Sequence, residues 1–92
     1  MNTYVLFPGS EEEFEALIDV VASLYQEQLH LDTGIASGRF QIIEQFEVSD
    51  SPWRLTVRFS MEALAQLQRV DDPRLEIVKD IQRRAGAAGA VK

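Results

Sequence analysis

His30 is the only histidine in the chain and cysteine is absent, so a serine–histidine–carboxylate site would have to run through His30. The apolar spacing places His30 at the end of a long helix, where a cation suits the helix dipole. Ser23 and Asp19 lie seven and eleven residues earlier on that helix, about 10 and 16 Å away along its axis. No triad closes within one helix at those distances, so no catalytic residue is assigned and the expectation is a protein that is not an enzyme.

Carboxylates are the abundant reactive type. Glu12, Glu15 and Asp19 recur at three- and four-residue steps on one helix face. Such a row resembles a partial cation site, but Ca²⁺ takes six to eight oxygens and Mg²⁺ near-octahedral geometry. No EF-hand-like loop accompanies it, so neither a metal nor any other cofactor is expected. Glu44 is a different case. In the alternation around it, the side chain falls on the inward face between Ile42 and Phe46, where an unpartnered carboxylate is costly. A β-bulge at Ile42-Ile43 or a place at the sheet margin would relieve it. Otherwise Glu44 would have a raised pKa and, with Trp53, mark a small-ligand site. Gly34-Ile35-Ala36-Ser37-Gly38 lacks the lysine and the context of a phosphate loop.

These groups are carried by a chain of 92 residues, one domain in size, with 46% hydrophobic and 26% charged residues. Asn2 to Phe7 reads as a strand stopped by Pro8-Gly9. Ser10 caps a helix, with Glu13 completing the capping-box pattern. Phe14, Leu17, Ile18, Val21, Leu24, Tyr25 and Leu29 form its apolar stripe, and Asp32-Thr33-Gly34 supplies the stop. A strand follows in which Phe40, Ile42, Phe46 and Val48 oppose Arg39, Gln41, Ile43, Gln45 and Glu47. After the turn at Ser49-Asp50-Ser51-Pro52, Trp53, Leu55, Val57 and Phe59 oppose Arg54, Thr56 and Arg58. Placing Val48 across from Trp53 would set Glu47 against Arg54 and Gln45 against Thr56.

Ser60 caps a second helix bearing Met61, Leu64 and Leu67. Asp72-Pro73 starts a third with Leu75, Val78, Ile81 and Ala85. The fold expected is α+β in the order β-α-β-β-α-α, a three-stranded antiparallel or mixed sheet with helices packed on one face. Residues 1–85 form the single domain and 86–92 a flexible tail. The first strand can lie beside either hairpin strand. The uncovered sheet face would display Arg39, Ile43, Arg54 and Arg58.

Charge is the feature that departs from an ordinary small domain. Residues 1–38 hold seven carboxylates and no lysine or arginine; the remainder holds eight acids and nine bases, so the net −6 divides into −7 and +1. That balance disfavours direct nucleic-acid binding, which draws its affinity from phosphate neutralisation. The absence of cysteine, of a signal peptide and of any run near 20 apolar residues leads to the expectation of a cytoplasmic protein that does not engage membranes.

The function these features favour is an acidic protein–protein interaction module that binds a basic protein surface through helix 1. Glu12, Glu15 and Asp19 would make the contacts, with Glu13 and Glu27 at the rim. Inhibitors of nucleic-acid-processing complexes, such as phage anti-defence proteins and nuclease immunity proteins, work in this way. The chain is similar to them in size, acidity and lack of catalytic groups, and no motif ties it to one family. The alternatives are a homodimer or docked subunit using Arg39, Ile43, Arg54 and Arg58 on the open sheet, and the ligand site around Glu44 and Trp53.

Overall fold

The computed structural model describes residues 2–32, 34, 37–50 and 52–89. Strand β1 (Thr3–Leu6) leads into helix α1 (Glu11–Gln26), followed by β2 (Gln28–Asp32), β3 (Ser37–Gln41), β4 (Ile43–Asp50) and β5 (Trp53–Phe59). Helices α2 (Met61–Val70) and α3 (Arg74–Gly89) complete the chain. The architecture is α+β, with a three-stranded antiparallel sheet in the order β1-β5-β4. A second, two-stranded antiparallel ladder joins β2 to β3.

That ladder is the main departure from the expected order. Helix α1 stops at Gln26 because Glu27 turns extended, at φ −78° and ψ 142°. Two of the carbonyls freed at its end are still satisfied: Leu24 O accepts from Glu27 N–H at 3.1 Å, and Tyr25 O accepts from the Gln41 side-chain amide at 3.0 Å. Leu29 remains buried, but as a strand residue paired with Phe40. The stop expected at Asp32-Thr33-Gly34 lies partly outside the described residues; Asp32 is the last residue of β2. Asp32 Oδ1 accepts from Gly34 N–H at 3.1 Å, and Gly34 adopts φ +84°, which suits a residue without Cβ. His30 is therefore an exposed strand residue opposite Arg39, away from the helix dipole expected to hold it.

The hairpin β4–β5 keeps the expected faces but not the expected register. Asp50 pairs with Trp53, and Val48 with Leu55, Glu47 with Thr56 and Gln45 with Arg58. A shift of two residues leaves every side chain on its own face, because strand side chains alternate with period two. Between Ile43 and Gln45 the register slips at Glu44. This bulge resets the faces, so Ile42 and Ile43 are both buried at 0% exposure while Glu44 turns outward. Ile43, expected on the open face, belongs to the core opposite Phe59.

β1 lies beside β5, with Tyr4 opposite Val57 and Leu6 opposite Leu55, so these two point inward and Thr3 and Val5 outward. Helix α1 covers β4 and β5, α3 covers β1, and α2 packs on α3 and the small ladder. One core results, joining Leu17, Val21 and Leu24 of α1 to Leu55, Val57 and Phe59 of β5 and to Val78 and Ile81 of α3. In α2 the buried positions are Ala63 and Leu67, whereas Met61 is exposed. Helix α3 runs as far as Gly89, and residues 90–92 lie outside the described residues. Among the described residues no helix is long and apolar enough to cross a membrane.

Candidate functional site

Helix α1 begins as its sequence requires. Ser10 Oγ accepts from Glu13 N–H at 3.1 Å, and Glu13 Oε1 reaches back to accept from Gly9 N–H at 2.6 Å. Its buried stripe is Phe14, Leu17, Val21 and Leu24. The spacing of that stripe divides the acids of the helix between two environments.

Glu13 and Glu27 lie on the flank next to α3. Glu13 Oε2 accepts from Arg84 Nη1 at 3.1 Å, and Glu27 Oε1 accepts from Arg74 Nη1 at 3.0 Å. Glu13 is near the start of α1 and Arg84 near the end of α3, while Glu27 and Arg74 hold the other ends. The two helices therefore run antiparallel, clasped at positions about 21 Å apart along α1. Their side chains remain 42% and 48% exposed. Both tie the protein to itself.

The lower clasp is a network. Arg74 donates from Nε and Nη2 to the two oxygens of Asp72, at 2.9 and 2.6 Å, and from Nη1 to Glu27. Asp72 Oδ1 also accepts Arg74 N–H at 2.9 Å, as the sequence Asp72-Pro73 predicts for a cap. The Arg74 side-chain hydrogen bonds, followed by its backbone N–H, hold the Asp72 carboxyl well below its usual range, at about 2. The same pairing with Asp72 raises the pKa of Arg74. At the upper clasp Arg84 also meets Asp80, whose carboxyl is pushed down by hydrogen bonds from Arg84 and then Arg83.

Glu12, Glu15 and Asp19 share the solvent side of α1. All three are exposed, and none takes part in an ion pair among the described residues. Beside Asp19 a groove of about 320 Å³ opens between α1 and α3. Val20, Leu24 and Ile77 make its walls, and the Glu27–Arg74 pair closes one end. Sequence reasoning missed this groove, because it needs the pairing of α1 with α3.

The open sheet face is less coherent than the sequence implied. Arg54 and Arg58 do point outward there, but Arg58 Nε donates to Glu44 at 3.1 Å. Arg39 stands on the separate β2–β3 ladder and Ile43 is in the core. A depression of about 330 Å³ beside Arg54 is lined by Glu47, Val48, Ser49 and Thr56, a mixture without one sign of charge.

Glu44 and Trp53 do not form a pocket. Trp53 stacks on Phe14, with ring centroids 6.2 Å apart, at the Asp50 end of the hairpin. Glu44 sits at the Phe59 end, about 20 Å along the strands. Among the described residues no cluster of three or more His, Asp or Glu is arranged to hold a metal ion. Comparison with family models, with curated proteins and with solved structures finds no match to this chain.

Proposed function

We propose that this protein is a non-enzymatic acidic interaction module that acts in the cytoplasm and docks on a basic protein surface through the solvent side of α1. One observation carries the reading. Glu13 and Glu27 have intramolecular arginines, while Glu12, Glu15 and Asp19 form an exposed row with no ion pair among the described residues. The row covers about 10 Å of helix at one-turn steps. Carboxylates so spaced match guanidinium groups bidentately, and the complementary field speeds encounter. Partners with broad basic surfaces are common among complexes that handle nucleic acid, and occupying such a surface would inhibit them.

The test is an affinity pull-down from host lysate at low and high salt, repeated with Glu12→Lys, Glu15→Lys and Asp19→Lys combined. The expected result is a salt-sensitive basic partner that the triple variant no longer retains, with the fold intact by circular dichroism. Retention of that partner by the triple variant would overturn the reading.

The second reading, a homodimer or docked subunit on the outer sheet face, draws on one fact. Thr3, Gln45, Glu47, Arg54 and Arg58 are covered by none of the helices. Sedimentation separates the two, because a monomer at high concentration excludes the homodimer.

A further inference from the structure

We infer that the groove between α1 and α3 receives the apolar side chains of a basic amphipathic helix of the partner, making the groove and the acidic row one docking surface. The inference rests on the acidic-recognition reading and adds the shape of what is recognised. Val20 and Ile77 are each 38% exposed, on neighbouring helices, and with Leu24 they give the groove a mostly apolar wall. Its volume of about 320 Å³ suits one or two aliphatic side chains.

Charge selects the occupant. Asp19 lines the groove with no ion pair among the described residues, Glu27 lines it paired to Arg74, and Glu15 and Glu12 continue the unpaired negative edge along α1. The cation in the lining, Arg74, is held by both oxygens of Asp72 and by Glu27, so it offers no free positive charge to a ligand. An acidic segment would meet repulsion. A purely apolar ligand would cover Asp19 without giving it a counter-charge.

Direction selects a helix. Because α1 and α3 are antiparallel, the groove runs along their axes, and Val20 lies one residue round from Asp19 on the same turn. A helix laid in this groove seats one or two side chains of its apolar face, an i, i+4 pair, between Val20 and Ile77. Lysines or arginines on its flank then face Asp19, Glu15 and Glu12 at one-turn intervals.

The experiment titrates the isotope-labelled full chain with three synthetic peptides of equal length, read by amide chemical shifts. The first carries leucines on one helical face and lysines elsewhere. The second has the same composition with the leucines dispersed, and the third is the first with glutamate for lysine. The expected result is that the first peptide shifts Asp19, Val20, Leu24 and Ile77 and binds at least tenfold tighter than the second. Val20→Gln with Ile77→Gln, both surface changes, brings it down to the level of the second. Equal binding of the first two peptides, unaffected by that double variant, overturns the groove and leaves the acidic row standing. Equal binding of the first and third overturns the charge selection. Failure of both lysine peptides to bind overturns the inference together with the reading beneath it.

Discussion

On the flank of α1 that faces α3, Glu13 and Glu27 meet arginines 71 and 47 residues away in the chain, whereas on the solvent side Glu12, Glu15 and Asp19 meet none among the described residues. The residue types are the same and the helix is the same. What differs is the neighbour brought by the fold. An acid beside α3 has its charge answered within the molecule and contributes to holding two helices together. An acid on the far side keeps its charge available for something outside. The comparison separates stability from recognition on a single element, and substitutions on the two sides should behave oppositely.

The largest effect is expected where the clasp is a network. Arg74→Met keeps the aliphatic stem but strips three charged hydrogen bonds, leaving Asp72 and Glu27 unanswered. Since the pair Arg74–Asp72 is only 25% and 17% exposed, the loss should be about 1–3 kcal/mol in urea unfolding. A cycle with Asp72→Asn should return a coupling of roughly 1 kcal/mol or more, because the two groups act together. Simple additivity would show that the network is decorative.

Acid sharpens the same contrast. The Asp72 carboxyl titrates at about 2 in the folded chain against an ordinary 3.8. A depressed folded value means that the stabilisation is complete above the ordinary value and is lost as pH falls from there toward 2. Stability followed from pH 5 to pH 2 should drop through that window, and Asp72→Asn should flatten the part due to this group. Next in size is Glu13→Ala, which removes the acceptor for Gly9 N–H and the contact with Arg84. About 1 kcal/mol should be lost by the same urea measurement.

How much of this was legible beforehand depends on the distance over which each feature is decided. The Ser10–Glu13 cap, the Asp72–Pro73 start and the inward set Trp53, Leu55, Val57 and Phe59 are local, and the chain folds as they imply. Leu29 misled because it satisfies both periods. It continues the helical stripe from Leu24 and Tyr25, and it also alternates in Gln28-Leu29-His30-Leu31-Asp32. The strand period wins because β3 supplies a partner for it, from Gln28 with Gln41 to Asp32 with Ser37. That alternation, ending in a turn of Asp and Gly, was the available signal. Glu44 announced its bulge by being the wrong residue for an inward position. The arginine partners of Glu13 and Glu27 left no local trace, so the ion pairs that tie α1 to α3 were not legible. The groove was invisible for the same reason.

The smallest effect is also the one that tests the comparison most directly. Glu15 has Glu12 three residues before it and Asp19 four residues after, both on its own face of α1. Like charges at those spacings each destabilise a helix by about 0.2–0.5 kcal/mol. Glu15 lies beyond the first turn, where the helix dipole would have compensated. Glu15→Gln should therefore raise stability by a few tenths of a kcal/mol at low ionic strength, and salt should erase the gain by screening the repulsion it removes. The sign is opposite to that of Glu13→Ala, two residues away. If Glu15→Gln instead lowers stability, the charge has a partner within the molecule and the row is not free for recognition. If it raises stability as expected, α1 carries a repulsion that adds nothing to the fold, and a positive surface laid against Glu12, Glu15 and Asp19 would relieve it.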